Sequence, residues 1–401
     1  MTQLETFREE VREWLEENCP KEMRDGGLGE DKICWGGRHW KFASQAQQDW
    51  LNAMASKGWT VPAWPKEYGG GGLSKEEVKV LKSEMRRIKA RSPLESFGIW
   101  MLGPALLKYG THEQKLEFLP PVARGEIRWC QGYSEPGAGS DLASLTTKCE
   151  DKGDHWVVNG QKVWTSYADK ADWIFVLVRT DNSATKHHGI SFLLVDMTSE
   201  GVSTKPIKLI SGNSPFCETF FDDTKVPKSY GENISAIVGE QDRGWDVAKY
   251  LLTHEREMIG AGGGGMIGGR GAGEIAAHEI GLEEDGRLSD PILRGKIAQS
   301  EIDGWAFLLT MERLKDEAKA GQGMGAKSSM LKYYGTEFNK RRHEIFMDVG
   351  GSKALEWEGE RSKEGKSARN WLRTKANSIE GGTSEVMLNI ISKRILELPD
   401  E

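Results

Sequence analysis

Tyr133-Ser134-Glu135-Pro136-Gly137-Ala138-Gly139-Ser140-Asp141, followed by Asn159-Gly160-Gln161-Lys162-Val163-Trp164-Thr165-Ser166, is where this chain says most about itself. The first half has the composition of a tight turn. Pro136 restricts one dihedral, while Gly137 and Gly139 free the next ones and leave room for another group near the backbone. Ser134, Ser140 and nearby main-chain N–H groups then point at an anion or a polar ring edge. The second half has strand composition. Trp156 and Val158 precede an Asn159-Gly160 turn, and Val163 and Trp164 follow with polar neighbours between them. Trp164, flanked by Thr165 and Ser166, makes a flat apolar plate beside two hydroxyls. That combination suits a flat, polar-edged ring such as an isoalloxazine.

Outward from this stretch the chain changes character twice. Residues 1 to about 125 have helical periodicity: at the N-terminus, where Thr2 and Glu5 form a capping box and Leu4, Phe7, Val11, Trp14 and Leu15 share one face, and again over Gln45–Lys57 and Lys75–Lys89. From about 126 to 235 short β-branched and aromatic runs take over: Trp156–Val158, Lys162–Thr165, Trp173–Arg179, Gly189–Val195 and Glu218–Phe221. Helical pattern returns near 244–280, 291–319, 326–349 and 383–396. Helices, then a compact β region, then helices exclude a doubly wound α/β domain. The glycine run at 262–274 contains a dinucleotide-like spacing, but no strand precedes it. It reads instead as a helix packed closely against a neighbour or a thin ligand.

With 401 residues, 38% hydrophobic and 29% charged, the composition is that of a globular protein. A net charge of −7 argues against a nucleic-acid partner. No stretch approaches a membrane span. The acidic N-terminal helix is neither an organelle presequence nor a secretory signal. The five cysteines, at 19, 34, 130, 149 and 217, lack metal spacing and read as reduced thiols of a cytoplasmic protein. No metal site is expected.

The two opening motifs resemble the flavin-binding region of acyl-CoA dehydrogenases. Further segments similar to that family follow in its order: Glu117-Phe-Leu-Pro-Pro-Val-Ala-Arg-Gly125, Phe220-Phe-Asp-Asp-Thr-Lys-Val-Pro227, Val238-Gly-Glu with Gly244-Trp245, Glu255-Arg256, and Ile379-Glu-Gly-Gly-Thr-Ser-Glu385. The resemblance implies an α+β multidomain chain. Its parts are an N-terminal helical domain (1–125), a middle β-domain of barrel or sandwich type (126–235) and a C-terminal helical bundle (236–401). It implies FAD as cofactor, with Ser134, Trp164, Thr165 and Ser166 around the ring, Ser140 near the pyrophosphate, and Tyr133 and Gly139 also among the cofactor-binding residues. By the same resemblance Thr383 and Glu385 match positions that touch flavin near the C-terminal loop, and Gly350-Gly351 resembles the pair that admits the adenine end of a neighbouring subunit's cofactor. Trp129 and Trp173 are read as β-domain core.

Oxidation of an acyl thioester needs a base for the α-proton, donors for the thioester carbonyl, and a hydride acceptor on the opposite face. The family carries its base at one of two places. Glu255, directly before Arg256, matches the first. At the second, Gly381 stands where a carboxylate is needed and Glu380 lies one residue early. Glu255 is therefore the preferred base, Glu380 the alternative, and Arg256 a supporting residue.

Two departures concern assembly. The glutamine usual before the Gly350-Gly351 pair is replaced by Met347 or Asp348. Glu284-Asp-Gly-Arg-Leu-Ser-Asp-Pro291 stands where an Arg-x-x-Phe-Gly segment commonly reaches a neighbour's flavin, with Arg287 as a displaced substitute or the whole a solvated loop. The implied partners are an acyl-CoA with a branched, long or bulky acyl group and an electron-transfer flavoprotein. The implied assembly is a homotetramer or homodimer, or a heterotetramer with a paralogue. An oxidase or desulfinase relative and a non-catalytic partner subunit are the alternative readings.

Overall fold

A computed structural model describes residues 2–27, 32–252, 271–323 and 325–399. The chain divides into two compact units, one of residues 1–207 with 215–251, the other of 208–214 with 252–401.

The first unit opens with helices whose ends are set locally. Helix α1 (Gln3–Asn18) begins at the expected capping box, in which Thr2 Oγ1 accepts from the Glu5 N–H and the Glu5 carboxylate accepts from the Thr2 N–H. Helices α2 (Gln45–Ser56) and α3 (Lys75–Arg87) start at Ser44 and Ser74. Val11 and Leu15 of α1 bury against Trp50, Met54 and Leu81. A single turn of π-helix (Gly98–Leu102) leads into α4 (Gly103–Tyr109), and α5 (His112–Ala123) follows.

The seven-stranded sheet of the same unit consists of β1 (Trp129–Gly132), β2 (Lys148–Asp151), β3 (His155–Ser166), β4 (Trp173–Arg179), β5 (Ile190–Asp196), β6 (Val202–Ile207) and β7 (Phe216–Pro227). Strand β4, buried at every position, pairs antiparallel with β5 on one edge. On the other edge it pairs parallel with β1 and, at its end, β2. The sheet continues through β2, β3 and β7 to β6. Trp129 and Trp173 lie 1% and 8% exposed in the core, as read from the sequence, with their rings 5.3 Å apart.

One local expectation is overturned. Asn159-Gly160 does not turn the chain. It lies inside the continuous strand β3, which pairs with β2 on one side and β7 on the other, and the register shifts between Val158 and Gly160. Pairing on both edges overrides the hairpin preference of the dipeptide. Gly160 serves close approach, because a Cβ there would meet Thr147 Oγ1 at 2.5 Å.

Helix α6 is described over 244–252, and positions 253–270 of the expected 244–280 helix lie outside the described residues. In the second unit, α7 (Ala272–Glu279) precedes two long helices, α8 (Pro291–Lys319) and α9 (Lys327–Ala354), which pack on each other. Pro291 sits at the first turn of α8 and Asp290 caps it. Gly351 (φ 51°, ψ −136°) kinks α9 at the glycine pair. Helices α10 (Lys366–Thr374) and α11 (Ser384–Arg394) finish the bundle against α9. Among the described residues no helix is long and apolar enough to cross a membrane, and no group of three or more His, Cys, Asp or Glu is arranged to hold a metal ion. All five cysteines are free and buried.

Candidate functional site

In the first unit the two opening motifs meet, and an ion pair joins them. Lys162 Nζ lies 2.8 Å from Glu135 Oε1, with both side chains almost wholly buried, and it also donates to the Tyr133 carbonyl. Oε1 of Glu135 accepts further from the N–H and hydroxyl of Thr147, and Oε2 from the N–H and hydroxyl of Thr146. Burial pushes the Glu135 carboxyl up, but the Lys162 charge and these donors outweigh it and hold it at about 2. Such saturation is what makes a buried charge tolerable.

The clasp positions a turn and a bulge. Glu135 and Ala138 exchange backbone hydrogen bonds of 2.9 and 3.0 Å around Pro136-Gly137. Neither Gly137 nor Gly139 has a positive φ. Their contribution is space, since a Cβ at either position would meet nothing within 4 Å. Tyr133 is buried, while Ser134 is half-buried and Gly139 and Ser140 are exposed. Across from the turn, Val163 donates to the Ser134 carbonyl at 2.9 Å, and β3 shifts register between Lys162 and Thr165. At that shift Trp164 adopts φ 62°, an uncommon conformation for so bulky a residue, and its indole stays 54% exposed. Thr165 turns inward, its hydroxyl fully buried and without a hydrogen-bond partner among the described residues. Ser166 closes the strand, half-buried. An exposed indole, an unsatisfied buried hydroxyl and an open glycine turn fit a flat ring with polar edges.

In the second unit the loop before α11 carries the C-terminal motif. Gly381 (φ 63°) and Gly382 (φ 96°) both need glycine. Lys332 of α9, 1% exposed, donates to the carbonyls of Asn377 at 3.0 Å and Gly382 at 2.5 Å. Burial lowers its pKa against the pull of Glu380, Glu337 and Glu385. Thr383 caps α11 by accepting from the Val386 N–H, and Glu385 is exposed in the first turn. Glu380 is bound on both oxygens. Arg373 donates to each, at 3.2 and 2.8 Å, and Asn377 Nδ2 donates to Oε1 at 2.7 Å. Gly350 and Gly351 lie at the α9 kink, where a Cβ on Gly351 would meet nothing within 4 Å. Of the two residues before that pair, Asp348 binds Lys296 at 2.8 Å. Arg287 is exposed in a turn closed by Glu283 and Gly286.

Glu255 and Arg256 lie outside the described residues. Glu135, Lys162 and Lys332 were not singled out from the sequence. Lys162 occupies an inward strand position, and an inward lysine two residues before the indole is the one signal that could have marked it.

Family models for the N-terminal, middle and C-terminal domains of acyl-CoA dehydrogenases match residues 2–126, 130–224 and 242–396. The chain is 35% identical over 412 aligned positions to acyl-CoA dehydrogenase IpdE1 of Mycobacterium tuberculosis and 36% over 416 to IpdE1 of Mycolicibacterium smegmatis. Each alignment covers 100% of this chain and 99% of the relative. Among solved structures it is similar to the Tcur3481-Tcur3483 steroid ACAD (31% identity, TM-score 0.75, covering 99% of this chain and 98% of that one). It is also similar to a chain of the ChsE4-ChsE5 complex from Mycobacterium tuberculosis (30% identity, TM-score 0.72, covering 100% and 99%).

Proposed function

Because the chain belongs to the acyl-CoA dehydrogenase family, FAD-dependent oxidoreductases acting on CH–CH donors, we propose that it oxidises an acyl-CoA to the 2-enoyl-CoA with Glu255 as the base. When bound, FAD supplies the acceptor for the β-hydrogen, taken as hydride at N5. The residues assigned to hold it are Ser134, Trp164, Thr165 and Ser166 at the ring and Ser140 at the pyrophosphate, with Tyr133 and Gly139 beside them. Thr383, Glu385, Gly350 and Gly351 complete the set. Trp164 gives the ring an apolar face to rest on. The inward Thr165 hydroxyl gains a partner for an oxygen now without one. The carboxylate of Glu255 takes the α-proton as the β-hydrogen leaves, with Arg256 beside it.

The observation that carries the choice of base is the state of Glu380. A base must have an oxygen free to approach the α-carbon. Both oxygens of Glu380 are held by Arg373 and Asn377, and Gly381 has no side chain to offer. Glu255→Gln and Glu380→Gln variants, loaded with FAD, test this under anaerobic conditions. Glu255→Gln is expected to lose bleaching of the flavin by acyl-CoA while Glu380→Gln keeps it; the reverse pattern overturns the assignment.

The acyl group we assign is branched, long or bulky. A base at position 255 supports this, as does the similarity to a structure described as a steroid ACAD. Profiling with short straight, branched and ring-bearing acyl-CoAs tests it, and activity confined to short straight chains counts against it. Electrons pass on to an electron-transfer flavoprotein. Domain limits of 1–125, 126–235 and 236–401 and a cytoplasmic location belong to the same reading.

A second reading is favoured by the 284–291 segment. It lacks the expected Arg-x-x-Phe-Gly, and its first part, 284–287, is an exposed turn before Leu288 buries and Asp290 caps α8. Two of the similar structures are complexes with two names. Here the chain completes its cofactor site with a paralogue instead of a second copy of itself. Purification alone discriminates: a yellow homo-oligomer supports the first reading, a colourless chain that turns yellow with a paralogue the second.

A further inference from the structure

Arg128 stands immediately before β1, 3% exposed. Its Cζ lies 4.8 Å from the ring centroid of Trp35 and 5.2 Å from that of Tyr167, which are themselves 5.0 Å apart. Trp35 stacks on Phe97 at 6.2 Å and meets Trp100 at 5.9 Å. These four rings are half-exposed while the arginine behind them is enclosed. Trp100 belongs to the π-helical turn, a rare element concentrated at functional sites. Tyr167 directly follows Ser166 and has φ 53°. The box therefore lies at the end of the strand that carries the Trp164 plate.

Among the described residues no side-chain hydrogen bond of Arg128 is found, and its Nε is fully buried without a partner. Asp169 and Asp172 act on the guanidinium through space without a hydrogen bond to it: Asp169 Oδ1 accepts from the Cys217 thiol at 3.5 Å, and Asp172 Oδ2 from the backbone N–H groups of Arg38 at 2.9 Å and Arg128 at 2.7 Å. Arginine carries five donors that stay charged. Ring faces attract such a cation but supply no acceptor, so the enclosed donors are left short of an oxygen.

We propose that Arg128, framed by Trp35 and Tyr167, is a specificity subsite for an oxygen on the acyl group at its end remote from the thioester. Phe97 and Trp100 pack against the cyclic hydrocarbon that bears it. The shared chemistry is an acceptor oxygen, from either a ring ketone or a carboxylate. The inference rests on the acyl-CoA reading above.

The test is calorimetric binding to the FAD-loaded protein of three CoA derivatives that cannot be dehydrogenated. They carry a cyclohexyl, an oxocyclohexyl or a carboxycyclohexyl end. Wild type is expected to bind at least one oxygen-bearing derivative about 10- to 100-fold more tightly than the hydrocarbon, the gain of a hydrogen bond to a charged donor. The oxo and carboxy arms tell ketone from carboxylate. Arg128→Met is expected to erase that preference and Arg128→Lys to restore part of it. Equal affinity of wild type for all three, which needs no variant, overturns the subsite. So does an equal loss across all three in Arg128→Met, the mark of a merely structural arginine. If none of the three binds, the acyl-CoA reading fails and the subsite with it.

Discussion

The clasp at 133–166 and the loop at 377–385 were both read from glycine-bearing motifs, yet they are held in opposite ways. In the clasp a fully buried ion pair joins two distant strips of chain, and every carboxylate oxygen is filled. The side chains it presents, an exposed indole and an inward hydroxyl, sit on rigid strand. In the loop, which has two glycines at positive φ, the Lys332 ammonium holds the backbone through the carbonyls of Asn377 and Gly382, while the ion pair beside them is half open to solvent. The first region fixes side chains and the second fixes backbone. A substitution should therefore cost most where charge is buried and least where it is exposed.

The largest effect is expected from Lys162→Met, which strands the Glu135 carboxylate without its counter-charge at a cost of about 3–5 kcal/mol. Thermal unfolding would show a large drop and the purified protein would lose FAD. Lys162→Met combined with Glu135→Gln should recover much of both. A single variant as stable as wild type would break the comparison.

Acid should address the same pair. The folded Glu135 carboxyl, at about 2, lies below its ordinary value of 4.5, so its contribution is present above 4.5 and lost as pH falls towards 2. That contribution is about 3 kcal/mol. Denaturant midpoints measured across that window should fall steeply in wild type and more gently in Glu135→Gln.

Lys332→Met comes next. It leaves the carbonyls of Asn377 and Gly382 without their donor, at about 2–3 kcal/mol. Hydrogen exchange should quicken across 377–385 and leave 133–166 unchanged; quickening in both would show that the two regions are not independently held. Glu380→Gln should cost about 1 kcal/mol or less, because its partner Arg373 is partly solvated and exposed ion pairs contribute little. A larger loss of stability would move this ion pair into the same class as the clasp.

Helix ends were the most legible feature, because they are decided locally. Thr2 with Glu5 marked α1 and the pattern from 291 to 319 matched α8, since capping groups lie within one turn of the backbone they satisfy. Strand β4 was legible from its unbroken apolar run. The short strands β1 and β2 and the polar β6 were missed, as their pairing depends on distant neighbours. The exposed Trp164 plate was readable. Its left-handed backbone was not, because the strain is imposed by the register shift against β7.

By itself the sequence determined the order of helical and β segments, the family, and hence the cofactor and the class of reaction, since these rest on local patterns and motifs kept in order along the chain. Only the tertiary structure decided that Glu135 and Lys162 meet in a buried pair, that Asn159-Gly160 runs straight through a strand, and that Glu380 is spent on Arg373. The physical reason is burial. Whether a charge is free, paired or fatal to the fold depends on how much water remains around it and what stands beside it, and neither is written in the residues next to it along the chain.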